Sequence, residues 1–203
     1  VNLLQSTEAI LIPGKLKASG LTNAQSLSLY GALTGMALPF ILFPSAITSA
    51  LSTMLLPTIA GQQAAGKEDA IIRSTEQTIQ YCLWLGFLSG GIFFFFGKEL
   101  AQIFYQNQDA GIFLQILAFL CPFLYLTSTL NGILNGLGHT VQCLIQSLAG
   151  LGIRILFVYF AIPRLGIRGY LFGLLLSQLV ITGLNLLFLH KNVKFRFPAT
   201  KWI

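Results

Sequence analysis

Long uncharged stretches separated by short charged segments dominate the chain. No charged residue occurs between Lys17 and Lys67, and none occurs from Ala110 to Ile153. A helix that crosses a membrane needs about 20 largely apolar residues, because the hydrocarbon core is about 30 Å thick and a helix rises about 1.5 Å per residue. Membrane β-strands are excluded, since these runs are too long and do not alternate. The pattern predicts an all-α integral membrane protein with a polytopic helical bundle.

Charges, prolines and glycines divide the uncharged stretches into five complete spans. The first is predicted to leave the membrane at Pro57, the second to close at the Gly97-Lys98-Glu99 turn, and the third and fourth to separate at Asn135 to Thr140. The predicted spans cover residues 29–56, 78–96, 112–134, 141–162 and 169–189.

The two ends of the chain are expected to lie outside this bundle. Residues 1–28 are interpreted as the end of a truncated sixth helix, beginning with the apolar segment Val1–Ile12, and an extracytoplasmic loop. Residues 190–203 are interpreted as a truncated basic cytoplasmic tail or linker. Because no basic segment precedes the first apolar stretch, no signal peptide is expected and the chain is interpreted as a fragment.

A mixed-charge segment at 61–77 is open to two interpretations. It contains both acidic and basic residues between two apolar stretches. A short helix at the membrane surface and a plain loop are both compatible with this composition.

Composition supports a membrane protein and excludes other classes. The chain is 55% hydrophobic and 9% charged, whereas soluble domains are about 25% charged, so an ordinary soluble enzyme is excluded. The net charge is +6, but the basic residues are scattered and form no stripe that could follow phosphates, so no nucleic acid partner is expected. Basic residues split almost evenly between the two sides, and the basic cluster after the last span favours a cytoplasmic C-terminus.

Residues that could perform catalysis or bind a metal do not form recognisable motifs. Cys82, Cys121 and Cys143 are widely spaced inside apolar runs, and His139 and His190 lie at span ends. No acidic pair, nucleophile motif, phosphate loop or metal motif accompanies them. We therefore expect no catalytic residues, no metal and no cofactor.

Hydroxyl groups recur on one side of the first span. Ser45, Thr48, Ser49 and Ser52 follow helical spacing and would share a face. Two interpretations remain open at this point: close packing of helices through small residues, or the wall of a water-filled cavity.

Polar side chains also occur within the later spans. Asn131 and Asn135 are four residues apart on the third span, and Gln178 lies on the last. Arg154 is the one basic residue inside a span, where a charge costs at least ~2.5 kcal/mol. Contact with a substrate or partner, a structural pairing, and snorkelling to the interface are three alternatives for Arg154.

Prolines inside the spans are candidate hinges. Pro39 and Pro44 lie in the first span and Pro122 in the third. Each removes a backbone donor and is expected to kink its helix.

Several motifs, taken in order, resemble a known family. They are Leu29-Tyr30-Gly31, Leu56-Pro57, the run Leu130 to Gly138, Ile153-Arg154, and Gly166 to Tyr170. Together they resemble the C-terminal lobe of the stage V sporulation protein B family of polysaccharide export proteins. That family belongs to a superfamily that also contains lipid II flippases, oligosaccharide flippases and multidrug and toxin exporters.

The resemblance implies a fold, an activity and partners. The family fold has two six-helix lobes plus two C-terminal helices, so the five spans would be helices eight to twelve of a MATE-like fold. The implied activity moves a lipid-linked saccharide or peptidoglycan precursor across the cytoplasmic membrane by rocking of the lobes. The implied partners are membrane lipid, that substrate and the missing N-terminal lobe.

The chain departs from part of this superfamily in one respect. Lipid II flippases place arginines in their cavity, including on the helix that corresponds to the first span, and that span has none here.

The resemblance leaves two other functions open. An ion-coupled multidrug exporter of the same fold would need buried carboxylates, and none lies in the predicted spans. A membrane-embedded polysaccharide-processing enzyme would need acidic or histidine residues that converge at one helix mouth.

Overall fold

The computed structural model describes residues 11–17 and 20–193, and all of its regular structure is helical in that part of the chain. Five long helices follow one another, joined by short turns, with a helical segment at 11–17 before them and a single helical turn, Ile162–Leu165, before the last. They are α1 (Asn23–Ala64), α2 (Glu68–Tyr105), α3 (Gln108–Gly136), α4 (Thr140–Phe160) and α5 (Ile167–Val193).

All five helices are long and apolar enough to cross a membrane. Their outer surfaces carry large apolar side chains, among them Phe43, Phe87 and Phe95 at 81%, 66% and 71% exposure. Such a surface is unfavourable in water and suits contact with lipid. The prediction of an all-α polytopic membrane protein is therefore confirmed.

Helix α3 lies at the centre of the bundle. In its most apolar window 67% of residues are buried, against 28–33% in the other four helices. It packs against α1, α2 and α5. The Tyr125 hydroxyl, fully buried, donates to the Ile41 carbonyl of α1 at 2.8 Å. On the side that faces α2, Cys82 Sγ lies 3.2 Å from Thr129 Oγ1.

Successive helices cross in opposite directions. The turn that joins α1 to α2, the end of α3 and the end of α5 meet at one end of the bundle, where Gly66, Leu137 and Val193 line one cleft. Helices α1, α3 and α5 therefore run in one direction, and α2 and α4 in the other. At the opposite end, Lys15 of the 11–17 segment places its Nζ 3.7 Å from the centre of the Tyr159 ring, a cation–π contact.

Both interpretations of the mixed-charge segment at 61–77 are wrong. Helix α1 continues through Pro57 to Ala64, the chain turns at Gly66 with φ +68°, and α2 begins at Glu68. The acidic first turn of α2, Glu68 and Asp69, suits the positive end of the helix dipole. The segment is therefore the end of one long helix and the start of the next.

The turn predicted at the end of the second span is absent. Helix α2 passes through Gly97-Lys98-Glu99 without a break and ends at Tyr105. Its 38 residues correspond to about 57 Å, so it extends beyond the hydrocarbon core. A helix needs no turn where it leaves the membrane, because its backbone hydrogen bonds are satisfied on either side of the boundary.

The two later breaks occur near their predicted positions. Helix α3 ends at Gly136, and Gly138 at φ +83° makes the turn before Thr140. Helix α4 ends at Phe160, and Gly166 at φ +61° precedes α5. Glycine is favoured at both turns because positive φ strains other residues. The expectations for Val1–Ile10 and for the tail beyond Val193 lie outside the described residues.

Candidate functional site

Polar side chains join the parallel helices α3 and α5. The hydroxyl oxygens of Thr127 and Thr182 lie 2.7 Å apart and are buried. One turn further along, Asn185 donates from Nδ2 to Asn131 Oδ1 at 3.2 Å. At the other end of this row Gln178 Nε2 donates to the Phe123 carbonyl at 3.5 Å. Hydrogen bonds between polar side chains hold membrane helices together. Since each bond in this row joins one position on α3 to one on α5, the row fixes the register of the two helices.

One face of α3 is left incompletely covered by its neighbours. Leu124, Ser128, Asn131 and Asn135 are half-buried and follow the spacing of a single helix face. Helix α1 borders this face, since Ser52 Oγ donates to the Ser128 carbonyl at 2.8 Å. Helix α5 borders it through the Asn131 bond. We call Ser128, Asn131 and Asn135 the polar stripe.

Three carboxamide oxygens in this region are buried without a hydrogen bond. They are Asn135 Oδ1, Asn185 Oδ1 and Gln146 Oε1, and none has a partner among the described residues. A buried polar atom left unpaired costs roughly 1–3 kcal/mol. Because these atoms are shielded from solvent, only an enclosed water or a helix movement that uncovers them would supply a donor.

The predicted serine face of α1 is divided by the structure. Ser45 is buried and donates to the Leu42 carbonyl at 2.6 Å. Thr48 is fully buried, and Ser52 packs against Gly132 of α3. Ser49 is exposed. Ser45, Thr48 and Ser52 thus take part in helix packing, and the pathway role of Ser45, Ser49 and Ser52 stays a prediction.

Arg154 lies four residues beyond the middle of α4 and is half-buried. One turn before it, Gly150 packs against Ile181 of α5. Three residues after it, Phe157 packs against Gly173 of the same helix. Arg154 is therefore held on a part of α4 that faces the bundle.

The candidate hinges differ in their backbone surroundings. Pro39 follows a π-helical stretch, Ala32–Ala37, and Pro122 follows a 3-10 turn, Ala118–Leu120. Pro44 lies inside regular α-helix. Irregular turns beside Pro39 and Pro122 mark places where helices bend, whereas no change of helix type accompanies Pro44. Hinge motion at all three stays a prediction.

Two functional candidates were missed as site residues. Gln146 is buried on α4 and Asn185 on α5. Gln146 lies three residues after Cys143 and four before Gly150, so helical spacing could have placed it on the same inward side. Asn185 is seven residues beyond Gln178 and shares its face.

Comparison with known proteins agrees with the helical bundle and its polar core. The MatE family model matches residues 15–160, a range that contains the polar stripe and Arg154. The chain belongs to the MatE family. This membership confirms the resemblance seen in the sequence motifs, and the chain is a multi-pass membrane protein.

Two curated relatives of this MatE-family chain come from Bacillus subtilis (strain 168). Stage V sporulation protein B is 29% identical over 186 residues, which cover 91% of the chain and 36% of the relative. Sporulation protein YkvU is 23% identical over 194 residues, which cover 95% of the chain and 44% of the relative. The chain thus spans less than half the length of each. No solved structure is significantly similar to it.

Proposed function

We propose that this MatE-family chain forms part of an exporter that moves a lipid-linked saccharide or peptidoglycan precursor across the cytoplasmic membrane. Transport would proceed by alternating access, with the helices described here as one lobe and a second, N-terminal lobe opposite. The protein would act as a transporter and not as an enzyme.

The polar stripe on α3 is the observation that carries this proposal. Carboxamides that remain half-buried in the central helix of a membrane bundle are costly against lipid. They are favourable where they face water or a hydroxylated ligand. A saccharide headgroup presents many hydroxyl groups, which can donate to and accept from the half-buried carboxamides of Asn131 and Asn135.

The outer face of α1 supports a second lobe on the same side. One narrow face on the outside of α1 consists of small or weakly polar exposed residues at helical spacing, with larger apolar side chains such as Phe43 and Met54 exposed beside it. Small residues allow another helix to approach closely and to slide. The face comprises Ala46, Ser49, Ala50, Thr53, Pro57 and Ala60.

The described carboxylates favour saccharide transport over ion-coupled drug export for this part of the chain. Glu68, Asp69, Glu99 and Asp109 are exposed near helix ends, and Glu76 is half-buried in the first turns of α2. Coupling ions are expected to bind carboxylates buried within spans. The sporulation names of both relatives suit a precursor of the spore envelope.

Cysteine labelling at Ser49 tests whether the outer face of α1 borders a water-filled pathway. The polypeptide that carries this sequence, at its natural length, would have every cysteine, Cys82, Cys121 and Cys143 among them, replaced by alanine and Ser49→Cys introduced. We expect Ser49→Cys to react with a membrane-impermeant thiol reagent, because its exposed position faces the pathway.

Two matched positions make this labelling decisive. Thr48→Cys is fully buried and should not react, and Phe87→Cys is exposed on the aromatic face of α2 and should be protected by lipid. Protection of Ser49→Cys equal to that of Phe87→Cys would contradict a wet pathway on this face.

Removal of one carboxamide tests the polar stripe directly. Asn131→Leu keeps the side-chain size but leaves Asn185 Nδ2 buried without its acceptor, at a cost of roughly 1–3 kcal/mol. Complementation of a B. subtilis strain that lacks stage V sporulation protein B should fall at least about tenfold, which is more than an equally destabilised control should lose.

Thr182→Val is the matched control for Asn131→Leu. It removes another hydrogen bond between α3 and α5, but at a buried position away from the incompletely covered face. It should preserve complementation. Equal loss in both variants would show that the row serves packing alone and would contradict a substrate role for the stripe.

A further inference from the structure

A cleft of about 480 Å³ lies at the end of α4, away from the polar stripe. Its lining is apolar apart from one cation. The residues are Leu156, Phe157, Phe160, Ala161, Arg164 and Leu165.

The cleft opens outward from the bundle. Phe157 forms its inner edge, where it packs against Gly173 of α5. Leu156, Phe160 and Leu165 are 57%, 66% and 59% exposed. In a membrane these side chains border lipid, so the space beside them is open to acyl chains.

Arg164 lies where α4 has ended and the short helical turn before α5 begins. The end of a membrane span corresponds to the level of lipid headgroups. Phe160 and Leu156 lie about one and two turns deeper along α4, and one turn is about 5.4 Å. The cleft therefore presents a guanidinium at headgroup level and an apolar wall below it.

We propose that this cleft binds an anionic phospholipid, with its phosphate on Arg164 and an acyl chain along Leu156 and Phe160. A guanidinium matches the geometry of a phosphate and holds it through two parallel hydrogen bonds. Arg168 and Lys15 at the same end of the bundle add to the positive field that attracts an anionic headgroup. This proposal is independent of the transported substrate.

Fluorescence quenching by brominated lipids tests the cleft. In the full polypeptide, every tryptophan, Trp84 and Trp202 among them, would be replaced by phenylalanine and Phe160→Trp introduced as the reporter. After reconstitution into vesicles, brominated phosphatidylglycerol should quench this tryptophan with about fivefold higher relative affinity than brominated phosphatidylcholine, as expected for one surface arginine. Arg164→Gln should bring the two affinities to equality.

Control variants separate the cleft from general surface charge. Arg168→Gln removes a nearby cation that does not line the cleft and should keep most of the preference. Arg164→Lys should retain part of it and serves where Arg164→Gln lowers expression. Equal quenching by the two lipids in the reporter protein would overturn the proposal. The same holds if no quenching occurs, since another protein segment would then cover the cleft, or if Arg168→Gln has the same effect as Arg164→Gln.

Discussion

Replacement of Gly132 by leucine is expected to destabilise the folded chain by about 3 kcal/mol, the upper range for overpacking in a core. Gly132 lies where α1 and α3 meet, in the centre of the bundle. A Cβ atom there would lie 2.5 Å from both the carbonyl oxygen and the Oγ of Ser52, and 2.8 Å from its Cα. Because two of these three atoms are backbone, no rotamer change in Ser52 can relieve the clash.

The loss should extend beyond the local contact. The hydrogen bond from Ser52 Oγ to the Ser128 carbonyl spans the same crossing, and Gly136, one turn further, packs closely on Leu56 and Ile59 of α1. Separation of the helices at Gly132 would weaken both contacts. Heating of detergent-solubilised protein followed by size-exclusion chromatography should show a melting temperature lower by roughly 10 °C.

Gly152→Leu provides the matched control for Gly132→Leu. Gly152 is also a helical glycine, but it is exposed and a Cβ there meets nothing within 4 Å. Its melting temperature should stay near that of the unaltered protein. A Gly132→Leu variant as stable as Gly152→Leu would show that α1 and α3 do not cross at this point.

Charge positions allowed the number and order of the spans to be predicted, because charged residues are confined to helix ends by the cost of burial in lipid. The turns at Gly138 and Gly166 were predictable for a different reason, namely that glycine and proline interrupt helices. The end of α2 was not predictable in this way. The charged residues Lys98 and Glu99 are compatible with a helix that continues into water, and Gly97 lies within the helix, where it packs closely on Gln115 of α3 and does not end it.

Residues of the site could be predicted from the sequence only where their spacing places them on the same face of one helix. Spacing placed Asn131 and Asn135 on one face, but it could not show that Asn185 would bond to Asn131, since that contact depends on the relative rotation of α3 and α5. Spacing likewise grouped Ser49 with Ser45 and Ser52. The three lie across about 60° of the helix, and Ser49 falls just beyond the edge of the contact with α3.

Replacement of Arg154 by alanine is expected to abolish complementation of the same B. subtilis strain while leaving the amount of protein in the membrane unchanged. Removal of a cation from a span relieves an insertion cost of at least ~2.5 kcal/mol, so insertion should not suffer. Loss of activity would then reflect loss of a cation that an anionic headgroup contacts. Arg154→Lys keeps the charge and should restore part of the activity.

Three roles of Arg154 give different results in this experiment. An arginine that only snorkels to the interface could be lost without effect on complementation. A structural ion pair would leave a buried partner uncompensated, which destabilises by several kcal/mol, so membrane levels and melting temperature would fall together. Only contact with a substrate predicts normal levels, a normal melting temperature and lost complementation. Arg154 lies between two close contacts of α4 with α5, at Gly150 and Phe157. These contacts should hold the backbone of α4 in place in both Arg154→Ala and Arg154→Lys.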